Sequence, residues 1–117
     1  MKKTEITAMI EKVVAFRNVR DWKQFHTPKD LALSLVLEAS ELLEHFQWLN
    51  DAEQKVHTKE AKTEIGDEMA DVLHWLLLMA NDFDIDLVKV FERKHKINAK
   101  KYPIKKSKGN ARKYNNL

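Results

Sequence analysis

Cysteine is absent from this chain, and glycine and proline each occur only twice in 117 residues. Without thiols there is no disulfide framework and no thiolate metal site. With so few helix breakers and no alternating β-branched runs, the span from Thr4 to Tyr102 reads almost entirely as helix. No apolar run reaches the roughly 18 residues that a membrane-spanning helix needs, and the first residues lack the apolar segment of a secretory signal. A cytoplasmic protein without a membrane partner is expected.

A more local absence carries more weight. From Leu31 to Gln54, and again from Thr63 to Val88, there is neither Lys nor Arg. The net charge of +3 therefore conceals a strong polarity. Residues 31–88 hold 13 acidic against 3 basic side chains, a net −10, while the remainder holds 5 against 18, a net +13. An acidic centre between basic ends suits a site that keeps a cation on one side and phosphates on the other, although a basic end alone also suits nonspecific nucleic-acid contact.

Four helices are expected. Thr4 can cap the first, whose apolar residues Ile6, Met9, Ile10, Val13, Val14 and Phe16 keep the helical period to about Val19. Thr27-Pro28-Lys29-Asp30 opens the second, which runs to about Leu49. The polar span Asp51 to Thr58 reads as a loop or short turn, and a third helix covers roughly Lys59 to Asp82, with Gly66 as a point of close packing. Asp84 can cap a fourth, stopped by Pro103. Residues 1–103 then form one helical domain, and 104–117 a basic C-terminal tail whose composition is that of a flexible segment. A chain this short has a modest core, so a site of any size is expected to borrow surface from a second copy, as a homodimer or homotetramer.

Two carboxylate pairs stand out inside these helices, Glu38/Glu41 and Glu68/Asp71, each spaced three apart. At about 100° per residue, Glu38 falls among Leu35, Leu42 and Leu49 with Glu41 at the stripe's edge, and Glu68 and Asp71 align with Trp75, Leu78 and Met79. Acids directed at the core with no cation nearby repel one another and take up protons unless a bound cation compensates. Each pair can offer its oxygens to one ion, and an oxygen-only donor set suits Mg²⁺. On solvated helix faces such pairs are common and mean nothing; placement in two cation-free apolar stripes is what separates these. A di-iron bundle needs Glu-x-x-His motifs on two helices. Only Asp71-Val-Leu-His74 approaches that, with His74 off the acid stripe. His45, near the acid edge, reads as a supporting or partner contact rather than a ligand.

Trp22, Phe25, His26, Phe46 and Trp48 can stack on a base, although rings at helix ends are more often core plugs. The basic run Arg93, Lys94, Lys96, Lys100 and Lys101, with Asn98 and Tyr102, can meet phosphates or simply be a solvated helix end.

The segments Arg20 to His26, Glu38 to Glu44 with Phe46-Gln47-Trp48, Glu64 to Leu73, Asn98 to Pro103 and Ser107 to Tyr114 together resemble the MazG-like all-α nucleoside triphosphate pyrophosphohydrolases, in the dCTP-pyrophosphatase-like branch. The resemblance implies a four-helix, oligomeric MazG-like bundle and Mg²⁺-dependent cleavage of a nucleoside triphosphate to monophosphate and pyrophosphate. It implies Glu38, Glu41, Glu68 and Asp71 as metal-binding catalytic acids, Trp22, His26 and Trp48 at the base, and Lys94, Asn98, Lys101 and Tyr102 near sugar and phosphates. It also implies that the tail is ordered. No specific nucleic-acid partner is expected. Where vertebrate dCTP-selective members carry a His, this chain has Val13, so a cytosine preference does not follow. The competing readings are a noncatalytic nucleotide- or nucleic-acid-binding module, and a scaffold whose acidic groove grips a basic partner.

Overall fold

The structure, a computed structural model, describes residues 3–117. Among the described residues it is all-helical, with no strand and no helix long and apolar enough to cross a membrane. The chain divides into two compact units, one reaching to Asp84 and the other running from Ile85 to Leu117.

In the first unit, α1 (Glu5–Asn18) begins where the Thr4 side chain accepts from the Thr7 backbone N–H. A short 3-10 turn, Lys23–Phe25, leads into α2 (Pro28–Glu44), whose N-cap Thr27 accepts from the Asp30 backbone N–H, with Pro28 at the first helical position. Both starts are those expected from the Thr and Pro signals. The span expected as a loop is instead α3 (Asp51–Glu60), because Asn50 and Glu53 form a reciprocal capping box that satisfies both local N–H donors. Polar helices without an apolar stripe escape periodicity, but their caps are legible. The longest helix, α4 (Lys62–Asp82), follows after Ala61.

Helix α4 is the hub on which α2, α1 and α3 all pack. Leu31 of α2 is fully buried against this core, with Ile65, Leu77, Leu78 and Ala80 of α4. Each such leucine contributes about 1.5–3 kcal/mol by burial. Arg17 closes the far end of the α1–α4 contact. It is 1% exposed, and its two terminal nitrogens each donate to an Asp82 carboxylate oxygen at 2.7 Å. That guanidinium holds the Asp82 carboxyl below its ordinary pKa, outweighing the opposite effect of partial burial. Gly66 is not the close-packing point expected, since a Cβ there would meet nothing within 4 Å.

A large apolar face is left uncovered on this unit, including Leu33, Val36, Leu37 and Leu43 of α2 and Met69 of α4. Their helical stripes are wider than the contacts inside one chain.

In the second unit, α5 (Leu87–Lys101) is capped by Asp86, which accepts from the Lys89 backbone N–H. The expected cap, Asp84, lies two residues too early and sits at φ 53°, a left-handed position that Asp tolerates better than most residues. Pro103 terminates α5 and precedes a short α6 (Ile104–Ser107). The segment expected from composition to be flexible ends in a 3-10 turn, Tyr114–Asn116, that folds back on α5. Tyr114 meets Tyr102 edge-on at 6.2 Å, and the Lys101 ammonium lies 4.7 Å from the Tyr114 ring centre. Six α-helices are present among the described residues rather than four, the additions being α3 and α6.

Candidate metal centre

Helices α2 and α4 lie side by side, so residues three apart on each bring carboxylates together across the contact. Carboxylate oxygens of Glu38, Glu41 and Glu68 lie within 4.8 Å of one another. Asp71, one turn beyond Glu68, is close enough for its charge to act on both Glu38 and Glu68. The acids do not enter the core as the helical wheels suggest. Glu38 and Glu68 are half-buried while Glu41 and Asp71 are exposed, because the leucines Leu31, Leu77 and Leu78 already fill the space between α2 and α4.

The electrostatics match the missing cations. Burial raises the Glu38 pKa above its ordinary value, and hydrogen bonding to Glu41 and the charges of Glu41, Asp71 and Glu68 raise it further. Glu68 is raised by the same kinds of cause, burial first, with only the His45 imidazole acting the other way. One oxygen of each, Glu38 Oε2 and Glu68 Oε2, is buried without a hydrogen-bond partner. Orphaned buried acceptors in a carboxylate cluster are the pattern a divalent cation relieves, and oxygen donors of this type fit Mg²⁺.

On one side the cluster opens into a cleft of about 540 Å³ in which Glu38 and Asp71 face Val13, Phe16, Trp22 and Trp75. Lys12 and His74 complete its lining. Trp22 meets Phe16 edge-on at 5.8 Å, and the Arg20 guanidinium stacks 3.7 Å from the Phe16 ring centre. Burial lowers the His74 pKa, so this ring is neutral near pH 7. His26 backs the cleft wall, edge-on to Trp75 at 5.3 Å, and burial together with the Arg17 charge lowers its pKa. Trp22 thus lies in the same cleft as the acids, and His26 directly behind it. Trp48 does not join them, being 85% exposed in the turn after α2. Lys94, Asn98, Lys101 and Tyr102 all belong to the second unit, with Lys94 and Asn98 exposed on α5 and the other two gathered at Tyr114.

Sequence reasoning missed Lys12, Phe16 as a cleft wall, and the Arg17–Asp82 clamp. Arg17 falls inside the apolar stripe of α1, which is the signal that marks it, whereas Lys12 lies just outside that stripe and carries none.

Residues 33–117 match the MazG-like family. The chain is 41% identical over 105 residues to dCTP pyrophosphatase 1 of Rattus norvegicus and 36% identical over 104 residues to that of Homo sapiens, covering 87% of this chain in both cases. It spans about 61% of the length of these relatives. A pyrophosphatase from Archaeoglobus fulgidus DSM 4304 superposes with a TM-score of 0.82 at 35% identity, over 88% of this chain and 96% of that one.

Proposed function

The chain belongs to the MazG-like family, and from that premise we propose that it is a Mg²⁺-dependent pyrophosphohydrolase that converts (deoxy)nucleoside triphosphates to monophosphates and pyrophosphate, cleansing the nucleotide pool. The observation that carries this reading is the cation-free carboxylate cluster at the mouth of an aromatic cleft. A base can stack on a ring of this cleft, and phosphates fit where acids hold a cation.

In this reading Glu38, Glu41, Glu68 and Asp71 hold Mg²⁺. When bound, the ion neutralises phosphate oxygens and polarises phosphorus. Trp22 and Phe16 give the base a face to stack on, fixing the nucleotide so that its phosphates reach the acids. Lys12, which lines the same cleft, adds positive charge where negative charge accumulates on the leaving pyrophosphate. An attacking water must lose a proton as its oxygen bonds to phosphorus and the bridging P–O bond breaks in line; Glu41, the exposed member of the triad, is the first candidate to accept it. Lys94, Asn98, Lys101 and Tyr102 are assigned to sugar and phosphates, and Trp48 to the base. The uncovered apolar face of α2 and α4 supports a homodimer or homotetramer, in which Trp48 has a neighbouring copy to meet.

A panel of nucleoside triphosphates scored for pyrophosphate release tests the proposal. One or more should be cleaved with an absolute requirement for a divalent cation. Nucleotide binding without turnover across the panel would establish the noncatalytic module instead.

A further inference from the structure

The second unit is strongly basic: residues 85–117 hold 11 basic against 2 acidic side chains, a net +9. Helix α5 sorts part of that charge into a row. At about 100° per residue, Lys89, Arg93, Lys96 and Lys100 fall within roughly 60° of one another on the helix surface. Leu87, Val90 and Phe91 lie on the other side, with Lys94 and Asn98 among them. All four cations of the row are exposed. None is in an ion pair among the described residues, and Glu92, the one acid beside them, forms none either.

Like charges one turn apart repel, so an uncompensated row costs the helix stability that an anion restores. The row is straight and about 16 Å long at 1.5 Å per residue, which suits a linear polyanion better than a compact one. It stays open when a second copy covers the apolar side, because the two sides point apart. A helix that lies in a lipid surface needs an unbroken apolar face, and that of α5 gives way after Phe91 to Lys94, Asn98 and Lys101. Phe91 and His95 stack on each other away from the row, so no base finds a platform beside it and the contact is with phosphates alone. A flexible single strand can lay successive phosphates along such a row, whereas a duplex winds its phosphates away from it.

We propose that Lys89, Arg93, Lys96 and Lys100 form a sequence-independent docking surface for the phosphate backbone of a single-stranded nucleic acid. It lies across α5 from Lys94 and Asn98 and is independent of whether the chain hydrolyses nucleotides.

The test is fluorescence anisotropy of a labelled oligothymidylate of about 20 nucleotides with a 5′-hydroxyl end, titrated with the full chain in the absence of divalent cations, so that the acid cluster has no ion with which to hold phosphates. Four phosphate contacts at about 0.7 each predict that log affinity falls with log salt at a slope of about −2.8, roughly 50-fold between about 50 and 200 mM. The triple variant Arg93→Gln, Lys96→Gln, Lys100→Gln should flatten that slope to about −0.7 and weaken binding at low salt by about tenfold or more. The triple variant Lys55→Gln, Lys59→Gln, Lys62→Gln removes the same charge from exposed positions of the first unit and should keep the wild-type slope. Circular dichroism establishes that both variants are folded. On wild-type protein alone, backbone amide resonances from Lys89 to Lys100 should move on adding the strand, and those of α3 should not. No binding at low salt, a slope unchanged in the α5 variant, an equal loss in the first-unit variant or stationary α5 resonances would each overturn the surface. Wild-type binding to phosphatidylserine vesicles but not to the strand would overturn it too, and make the partner a membrane.

Discussion

The carboxylate cluster faces two unlike spaces. On one side Glu38 and Asp71 meet Phe16, Trp22 and Trp75, a wall suited to stacking. On the other, Glu41, Glu44 and Glu68 meet His45 and His57, whose rings are hydrogen-bonded to each other at 2.9 Å. The same three-residue spacing on α2 and α4 serves both, because side chains one turn apart diverge slightly around each helix. The neighbours therefore decide what an acid does. Helix α1 contributes rings and a lysine to one side, and α3 contributes an imidazole to the other.

The two walls should come apart most sharply at Asp82. Asp82→Ala leaves the Arg17 guanidinium buried without its partner and should cost about 3–5 kcal/mol of folding stability, measurable by urea unfolding. Because the clamp holds α1, hydrogen exchange should show α1 amides losing protection while those of α3 keep theirs. Equal loss in both helices would mean that the two walls are not independently supported.

Next in size is the chemistry itself. Glu38→Gln and Asp71→Asn should each lower Mg²⁺-dependent pyrophosphate release by about 10²-fold or more. Full activity in both would remove the acids from the site.

A smaller effect belongs to the rings. Trp22→Ala should weaken nucleotide binding by about 1–3 kcal/mol, read mainly in KM, whereas Phe25→Ala, on a ring that does not line the cleft, should change it little. Equal effects would place the base elsewhere.

The smallest and most diagnostic is the response to pH. Glu38 and Glu68 have raised pKa values in the metal-free fold, so protons compete with the cation, and Mg²⁺ affinity should fall as pH drops toward 5. The linkage for stability has the opposite sign. The metal-free fold binds protons more tightly than the unfolded chain from the ordinary glutamate value of 4.5 up to the raised values, so its stability should decline as pH rises through that window. Asp82 acts the other way, with stability present above its unfolded pKa and lost as pH falls through the lowered one. A Mg²⁺ affinity independent of pH would contradict the raised carboxyls.

Most of the first unit was legible because its signals are local. Thr4, Thr27 and Pro28 mark helix starts by hydrogen bonds within one turn, and the cation-free stripes of α2 and α4 betray the acids. The helical wheel could not say how deep those acids lie, since depth depends on how closely leucines such as Leu78 already pack. Helix α3 was missed because it has no apolar stripe, although its Asn50–Glu53 capping box is as local a signal as the caps at Thr4 and Thr27. The Arg17–Asp82 pair, 65 residues apart, and the His45–His57 pair, 12 apart, depend on how helices meet, which spacing along the chain does not encode.

In the proposed function, carboxylates lacking any cation of their own make a divalent-ion site that drives nucleotide cleavage. Mn²⁺, whose free paramagnetic signal vanishes on binding, reports that site directly in place of Mg²⁺. Wild-type protein should quench the signal and release pyrophosphate, and Glu68→Gln, still helical, should do neither at the same ion concentration. Quenching and pyrophosphate release at the wild-type level in Glu68→Gln would contradict it.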